Sequence, residues 1–143
     1  MIILSVDYGD RRTGIAVCDK LEMLATGVMV ITEWNKEVLA SKVAEEAASR
    51  NAELIVVGLP KNMDGSSGFR AEACKEFGEL LITKTEIPVT FWDERLTTVS
   101  AHSIMNELNI KGKKRKEKVD AVAAEIILQN YIDYRKATGE NNV

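Results

Sequence analysis

Four acids in this chain have types and positions that suit chemistry: Asp7, Asp93, Glu94 and Asp120. Asp7 ends the apolar run Ile2-Ile3-Leu4-Ser5-Val6, and Asp93-Glu94 follow Ile87-Pro88-Val89-Thr90-Phe91-Trp92. Both runs read as strands. Active sites in open α/β sheets gather at the carboxyl ends of strands, so these acids belong to one candidate site. Asp120 sits in a helical pattern. Ala123, Ala124, Ile127, Leu128 and Tyr131 follow it at helical spacing, which puts it on or beside the stripe facing the sheet. Each acid also has a plain structural role available. Asp7 can be held by a loop cap, and Asp120 can cap its helix or favour the helix dipole.

Taken together, Asp7, Glu94 and Asp120 form a carboxylate set without a histidine cluster. Such a set suits hard, oxygen-seeking Mg²⁺ or Mn²⁺. Asp93 is the alternative to Glu94. Two such ions about 4 Å apart activate a water and stabilise the leaving oxygen of a phosphodiester. Other chemistries find little support. His102 is the single histidine and reads as a surface residue, and Cys18 and Cys74 are the two cysteines. No serine–histidine or cysteine–histidine pair is evident. A structural zinc site needs about four N/S ligands, so zinc is not expected. A reduced chain is the expectation for the cysteines.

Anion-binding candidates surround the acids. Arg12 suits a phosphate or a sheet-end acid. Asn62, Ser66 and Arg70 stand in a donor-rich loop at a helix entrance, where backbone N–H groups favour anions. Arg95 follows the second pair of acids and suits a phosphate or a contact that fixes Glu94. Trp92 and Phe91 read as core, with stacking on a base as the lesser alternative. The segment Lys111–Lys118 holds six basic residues and one acid, among them Lys113, Lys114, Arg115 and Lys116. Without it the chain has 13 Lys+Arg (19 less 6) against 21 Asp+Glu (22 less 1). An acidic body with one basic segment is an electrostatic footprint for a phosphate backbone. A solvated charged loop is the bland alternative.

The elements that must position these residues follow from periodicity. Residues 2–7 and 14–19 read as a hairpin, with Gly9 and Gly14 bracketing its turn. Gly27–Ile31 adds an antiparallel strand. Asn35–Arg50 is helical. Glu53–Gly58 is a continuous apolar run, as in a strand buried on both faces. A loop at 61–69 leads to a helix over 69–83, a strand over 87–92, a helix over 97–108 and a last helix over 118–135. The order β-β-β-α-β-α-β-α-α predicts an α/β fold, a mixed five-stranded sheet with helices packed on it.

At 143 residues, the chain suits one domain, expected over 1–136, with a polar tail over 137–143. The N-terminal apolar run is too short for a signal peptide and lacks a basic leader. No stretch approaches the roughly 20 apolar residues of a membrane helix. A cytoplasmic protein without membrane contact is the expectation.

Four segments, in order along nearly the whole chain, resemble one family. They are Asp7-Tyr8-Gly9-Asp10-Arg11-Arg12-Thr13-Gly14-Ile15-Ala16, the loop Gly58–Ala71, Asp93-Glu94-Arg95-Leu96-Thr97-Thr98, and Lys118-Val119-Asp120-Ala121-Val122-Ala123-Ala124. The first motif is weak alone; the loop and the DERLTT segment together are strong. The chain resembles the YqgF-type family of Holliday junction resolvases and pre-16S ribosomal RNA nucleases. The resemblance implies a ribonuclease H-like fold and metal-dependent cleavage of structured nucleic acid, with Asp7, Glu94 and Asp120 as catalytic acids. Processing of the 5′ end of pre-16S rRNA is the first expectation. Resolution of branched DNA is the second, and a catalytically silent nucleic-acid-binding module the third. An ATP-binding domain of the actin type shares a DxG opening, but it needs a second phosphate motif that this chain lacks. In related resolvases an acid ends the fourth strand; here that place is Val57-Gly58-Leu59, so the second acid must come from the next strand. No dimerisation signature is evident, so a monomer or weak homodimer is expected.

Overall fold

The computed structural model describes residues 1–60, 68–94 and 115–139, with only the backbone over 115–120. Five strands form one sheet: β1 (Ile3–Asp7), β2 (Arg12–Cys18), β3 (Ala25–Thr32), β4 (Leu54–Leu59) and β5 (Val89–Asp93). Their order across the sheet is β3-β2-β1-β4-β5. The first three strands are antiparallel neighbours, whereas β4 and β5 run parallel to β1. That parallel pairing requires crossovers. Two helices supply them, α1 (Lys36–Ser49) before β4 and α2 (Phe69–Ile82) before β5. The mixed five-stranded sheet is the one expected from the order of elements.

Strand alternation sorts the core into two layers. Leu4, Val6, Ile15, Ile55 and Val57 face one side and pack with Leu39, Val43, Phe77 and Leu81 of α1 and α2. Ile3, Ala16, Val56 and Trp92 face the other, under Ala124, Ile127 and Leu128 of the last described helix, α3 (Arg115–Thr138). Cys18 and Cys74 fall in opposite layers and are free thiols.

Local sequence explains the element ends. The Asn35 side chain caps α1 by accepting from the Val38 N–H at 3.1 Å. Gly78 of α2 leaves room for the Phe91 ring, which would lie 2.4 Å from an added Cβ. Three boundaries differ from expectation. Gly14 does not bracket the turn; it lies inside β2, opposite Asp7. The last helix starts at Arg115, inside the basic segment, and extends to Thr138, inside the expected tail. The helix expected over 97–108 lies outside the described residues.

Candidate active site at the carboxyl ends of the parallel strands

β1 is central, and its last residue, Asp7, is half-buried at the sheet's upper edge. Side chains alternate along a strand. Ile3 and Ser5 face α3, so Asp7 faces it too: Ile3 lies in that layer, and Ser5 Oγ donates to the Ala124 carbonyl at 2.7 Å. The residue opposite Asp7 on β2 is Gly14. Cross-strand partners share a face, so no side chain from β2 crowds the carboxylate there.

Glu94 follows β5 directly and joins Asp7 on that face. Trp92, two residues earlier, packs in the α3 layer. The Glu94 carboxylate lies over Gly58 of β4, where an added Cβ would stand 2.9 Å from Oε2. The same Cβ would meet Ile127 Cδ1 at 2.6 Å. Gly58 therefore leaves the space that Glu94 fills. Asp93 has the other parity. It ends β5 opposite Leu59, and both Leu59 and Phe91 pack in the α1–α2 layer.

The electrostatics follow from this packing. Burial first, and the nearby Asp7 charge second, push the Glu94 carboxyl up to about 7. Arg70 opposes the shift, and Asp93 adds to it weakly. Two carboxylates in a half-buried site disfavour each other's ionisation. Arg70, on the first turn of α2, donates to the Tyr8 carbonyl at 2.9 Å. Tyr8 stacks on Phe77 with centroids 4.6 Å apart, which anchors the chain just after Asp7. Cys74 lies in the same field. Burial pushes its thiol up to about 11, with Glu94, Asp7 and Asp10 adding to the rise against Arg70. A thiol so disfavoured as thiolate is a packing residue rather than a nucleophile.

Asp120 lies in α3, whose backbone alone is described at that position. The helix runs antiparallel to β1. Glu125 accepts from the Gly27 N–H and Gln129 from the Ala25 N–H, so the helix descends as β3 rises. Ser5 meets Ala124. Two residues up β1 from Ser5 is about 6.6 Å, and four residues back along α3 from Ala124 is about 6 Å. Backbone position 120 is thus level with Asp7. Small residues permit this close approach: a Cβ on Gly27 would meet the Ala121 carbonyl oxygen at 2.8 Å.

Among the described residues no three His, Cys, Asp or Glu side chains form a metal-holding group. The described part of the acid set is the pair Asp7 and Glu94, both hard oxygen donors suited to Mg²⁺ or Mn²⁺. Of the expected binding residues, Arg12 is exposed at the start of β2 and Arg70 is at the site. Asn62, Ser66, Arg95, Lys113 and Lys114 lie outside the described residues, as does His102, and Arg115 and Lys116 are described in backbone only. Trp92 and Phe91 belong to the core. Trp92 is buried against Tyr131 and Tyr134, at centroid distances of 5.8 and 5.4 Å. Sequence reading missed Gly58 as the seat of Glu94, since a lone glycine at a strand end signals only a turn. It also missed Trp34, treated below.

The fold is that of a ribonuclease H-like protein. RuvC of T. thermophilus, solved in complex with a Holliday junction substrate, aligns at a TM-score of 0.66. The match covers 96% of each chain at 11% identity. The fowlpox virus Holliday junction resolvase aligns at a TM-score of 0.55, covering 94% of this chain and 99% of that one at 14% identity. The family model described as "RuvX: Holliday junction resolvase" matches residues 1–134, and the chain belongs to that family. Its relatives include a protein of Halothermothrix orenii, 45% identical over 94% of this chain and 96% of its own. Another, from Agathobacter rectalis, is 42% identical over 94% and 96%. Both carry the name "Putative pre-16S rRNA nuclease".

Proposed function

We propose that this chain is a metal-dependent nuclease that hydrolyses phosphodiester bonds in structured nucleic acid, with the 5′ end of pre-16S rRNA as its first substrate. Asp7, Glu94 and Asp120 are its catalytic acids. One observation carries the reading: Asp7 and Glu94 share the face beneath α3, and burial beside Asp7 lifts Glu94 to about 7. A purely structural carboxylate is normally compensated by cations or hydrogen bonds. Glu94 has such a cation in Arg70, yet burial and the Asp7 charge still raise it, and a divalent cation between the two acids would relieve that repulsion. Two Mg²⁺ or Mn²⁺ ions held by these acids would supply an activated water and a counter-charge for the leaving 3′ oxygen. The protein's own part is to hold two half-buried carboxylates at the sheet's edge with Arg70 near them. Strand parity favours Glu94 over Asp93. The level of position 120 with Asp7 supports Asp120 as the third acid. Arg12, Arg95 and the basic segment Lys113–Lys116 would bind the flanking phosphates.

A second reading, resolution of branched DNA, is favoured by the description of the matching family and by the RuvC-type fold. Resolution needs two strands cut, so a dimer would form on the junction. No helix among the described residues is long and apolar enough to cross a membrane. The deciding experiment sets a precursor 16S rRNA fragment beside a four-way DNA junction, with Mg²⁺ or Mn²⁺ added. Cleavage of the RNA at its 5′ flank, abolished by Asp7→Asn, is the expected result. Junction cleavage alone would move the assignment to the second reading. Binding of both with cleavage of neither would leave a silent module.

A further inference from the structure

We propose that Trp34, with Arg11, forms a stacking platform for an unpaired base of the nucleic-acid strand flanking the cleavage site. This rests on the nuclease reading above. Trp34 follows β3 and is 71% exposed, so it adds little to the core. An exposed indole face beside a guanidinium has the chemistry to stack on a nucleic-acid base. The Arg11 guanidinium stands 5.7 Å from the Trp34 ring centroid, over one face. The backbone fixes the pair: the Glu33 N–H donates to the Arg11 carbonyl at 2.9 Å, joining the β1–β2 turn to the end of β3.

The platform lies at the correct end of the molecule. β3 runs parallel to β1, so its exit leaves the sheet at the edge where Asp7 stands. Arg11 lies over the ring, and Arg11 and Arg12 are both exposed. Glu33, the acid beside Trp34, is paired with Lys42 at 3.0 Å. Trp34 is two strands and about four residues from Asp7, roughly 16 Å by ordinary strand spacings. That is too far to touch a reacting phosphate. It matches a base about four or five nucleotides away along a stacked strand at ~3.4 Å per step. With the guanidinium on one face of the indole, the second face is available to a base, and the Arg11 charge favours its phosphates. Every base has a π-face, so the platform reads strandedness rather than sequence. RNA and DNA single strands share this chemistry, and paired bases do not present it.

Tryptophan fluorescence tests the proposal directly, because the chain has two tryptophans and the other, Trp92, is only 5% exposed. The full chain is titrated in EDTA with a 12-nucleotide single-stranded RNA, the matching DNA strand and the matching duplex. The expected result is quenching by both single strands. Trp34→Ala should bind them roughly tenfold more weakly, within the ~5–150-fold range of one lost base stack. Trp34→Phe should recover most of the affinity, and duplex binding should be the same in all three proteins. In Mg²⁺, Trp34→Ala should raise the substrate concentration for half-maximal cleavage while leaving kcat unchanged. Equal single-strand affinity in Trp34→Ala and wild type, or an equal loss on duplex, overturns the platform. So does wild type that fails to bind single strands in EDTA. If cleavage in Mg²⁺ persists through such a result, the nuclease reading stands without the platform. If cleavage is also absent, both fall.

Discussion

Gly58 and Glu94 define the site at the level of single residues. Adding one methyl group at position 58 would place a carbon 2.9 Å from the Glu94 carboxylate and 2.6 Å from Ile127 Cδ1. Both side-chain ends must give. Gly58→Ala should therefore lower stability by about 1–3 kcal/mol and cut the cleavage rate by roughly 100-fold, the cost of misplacing a group by about 1 Å. Melting curves and single-turnover rates would measure the two effects separately. A variant that cleaves at the wild-type rate would remove Glu94 from the machinery. The Glu94 carboxyl also predicts a pH dependence. Its folded value of about 7 lies above the ordinary 4.5. Between those values the folded chain keeps a proton that the unfolded chain gives up. The metal-free protein should then lose stability as pH rises through that window, and Glu94→Gln should flatten the slope. Mg²⁺ uptake below pH 7 should expel the same proton. Calorimetric titration in buffers of different ionisation enthalpy would count it, and a count of zero at pH 6 would exclude Glu94 as a ligand.

The elements were legible where one signal decides them and obscure where two compete. The continuous apolar run before Gly58 marked β4, and Asn35 marked the start of α1, because burial on both faces and a side-chain cap each leave a local trace. Gly14 was misread because glycine marks turns and also marks strand positions that must stay clear, here the place opposite Asp7. The choice between Asp93 and Glu94 rests on strand parity, which depends on where β5 begins and on which side α3 packs. Neither is encoded locally. Trp34 was invisible for the same reason, since one tryptophan in a polar stretch does not reveal its exposure. Packing of α3 on small residues is the tertiary fact that sets the height of backbone position 120 over β1. It can be tested at Ser5, whose hydroxyl donates to the Ala124 carbonyl from a fully buried position. Ser5→Val removes the donor and adds bulk beneath the helix. We expect a loss of about 2–3 kcal/mol. Cleavage should fall more than in Ser5→Ala, because the bulkier side chain lifts position 120 away from Asp7. Equal rates for the two variants would show that helix height does not govern the site.

Across the whole molecule, two charge clusters occupy opposite ends of the sheet and should act in opposite senses. At the lower end Glu22 is nearly buried, accepting from Arg135 Nε at 2.8 Å and from the Met1 ammonium at 3.1 Å. Burial pushes its carboxyl up, but the hydrogen bonds from Arg135 and the chain terminus prevail and hold it below the usual range. This network ties the far end of α3 to the β2–β3 turn and the start of β1. Its folded value is depressed, so its contribution is present above the ordinary carboxylate range and is lost as pH falls through the folded value. At the upper end Asp7 and Glu94 repel each other. That repulsion weakens the metal-free protein, and a cation held between them would relieve it. Two variants separate these effects in melts with and without Mn²⁺. Glu22→Gln removes the carboxylate charge from Arg135 and the Met1 ammonium and should cost about 2 kcal/mol, or roughly 7 °C in Tm. The Mn²⁺-induced rise and the cleavage rate should be unchanged. Asp7→Asn should do the reverse: melt at or above wild type without metal, lose most of the Mn²⁺-induced rise, and cleave nothing. If Asp7→Asn instead melts well below wild type and keeps the full Mn²⁺ rise, Asp7 is a structural cap. The metal site would then have to be sought at Glu94 and Asp93.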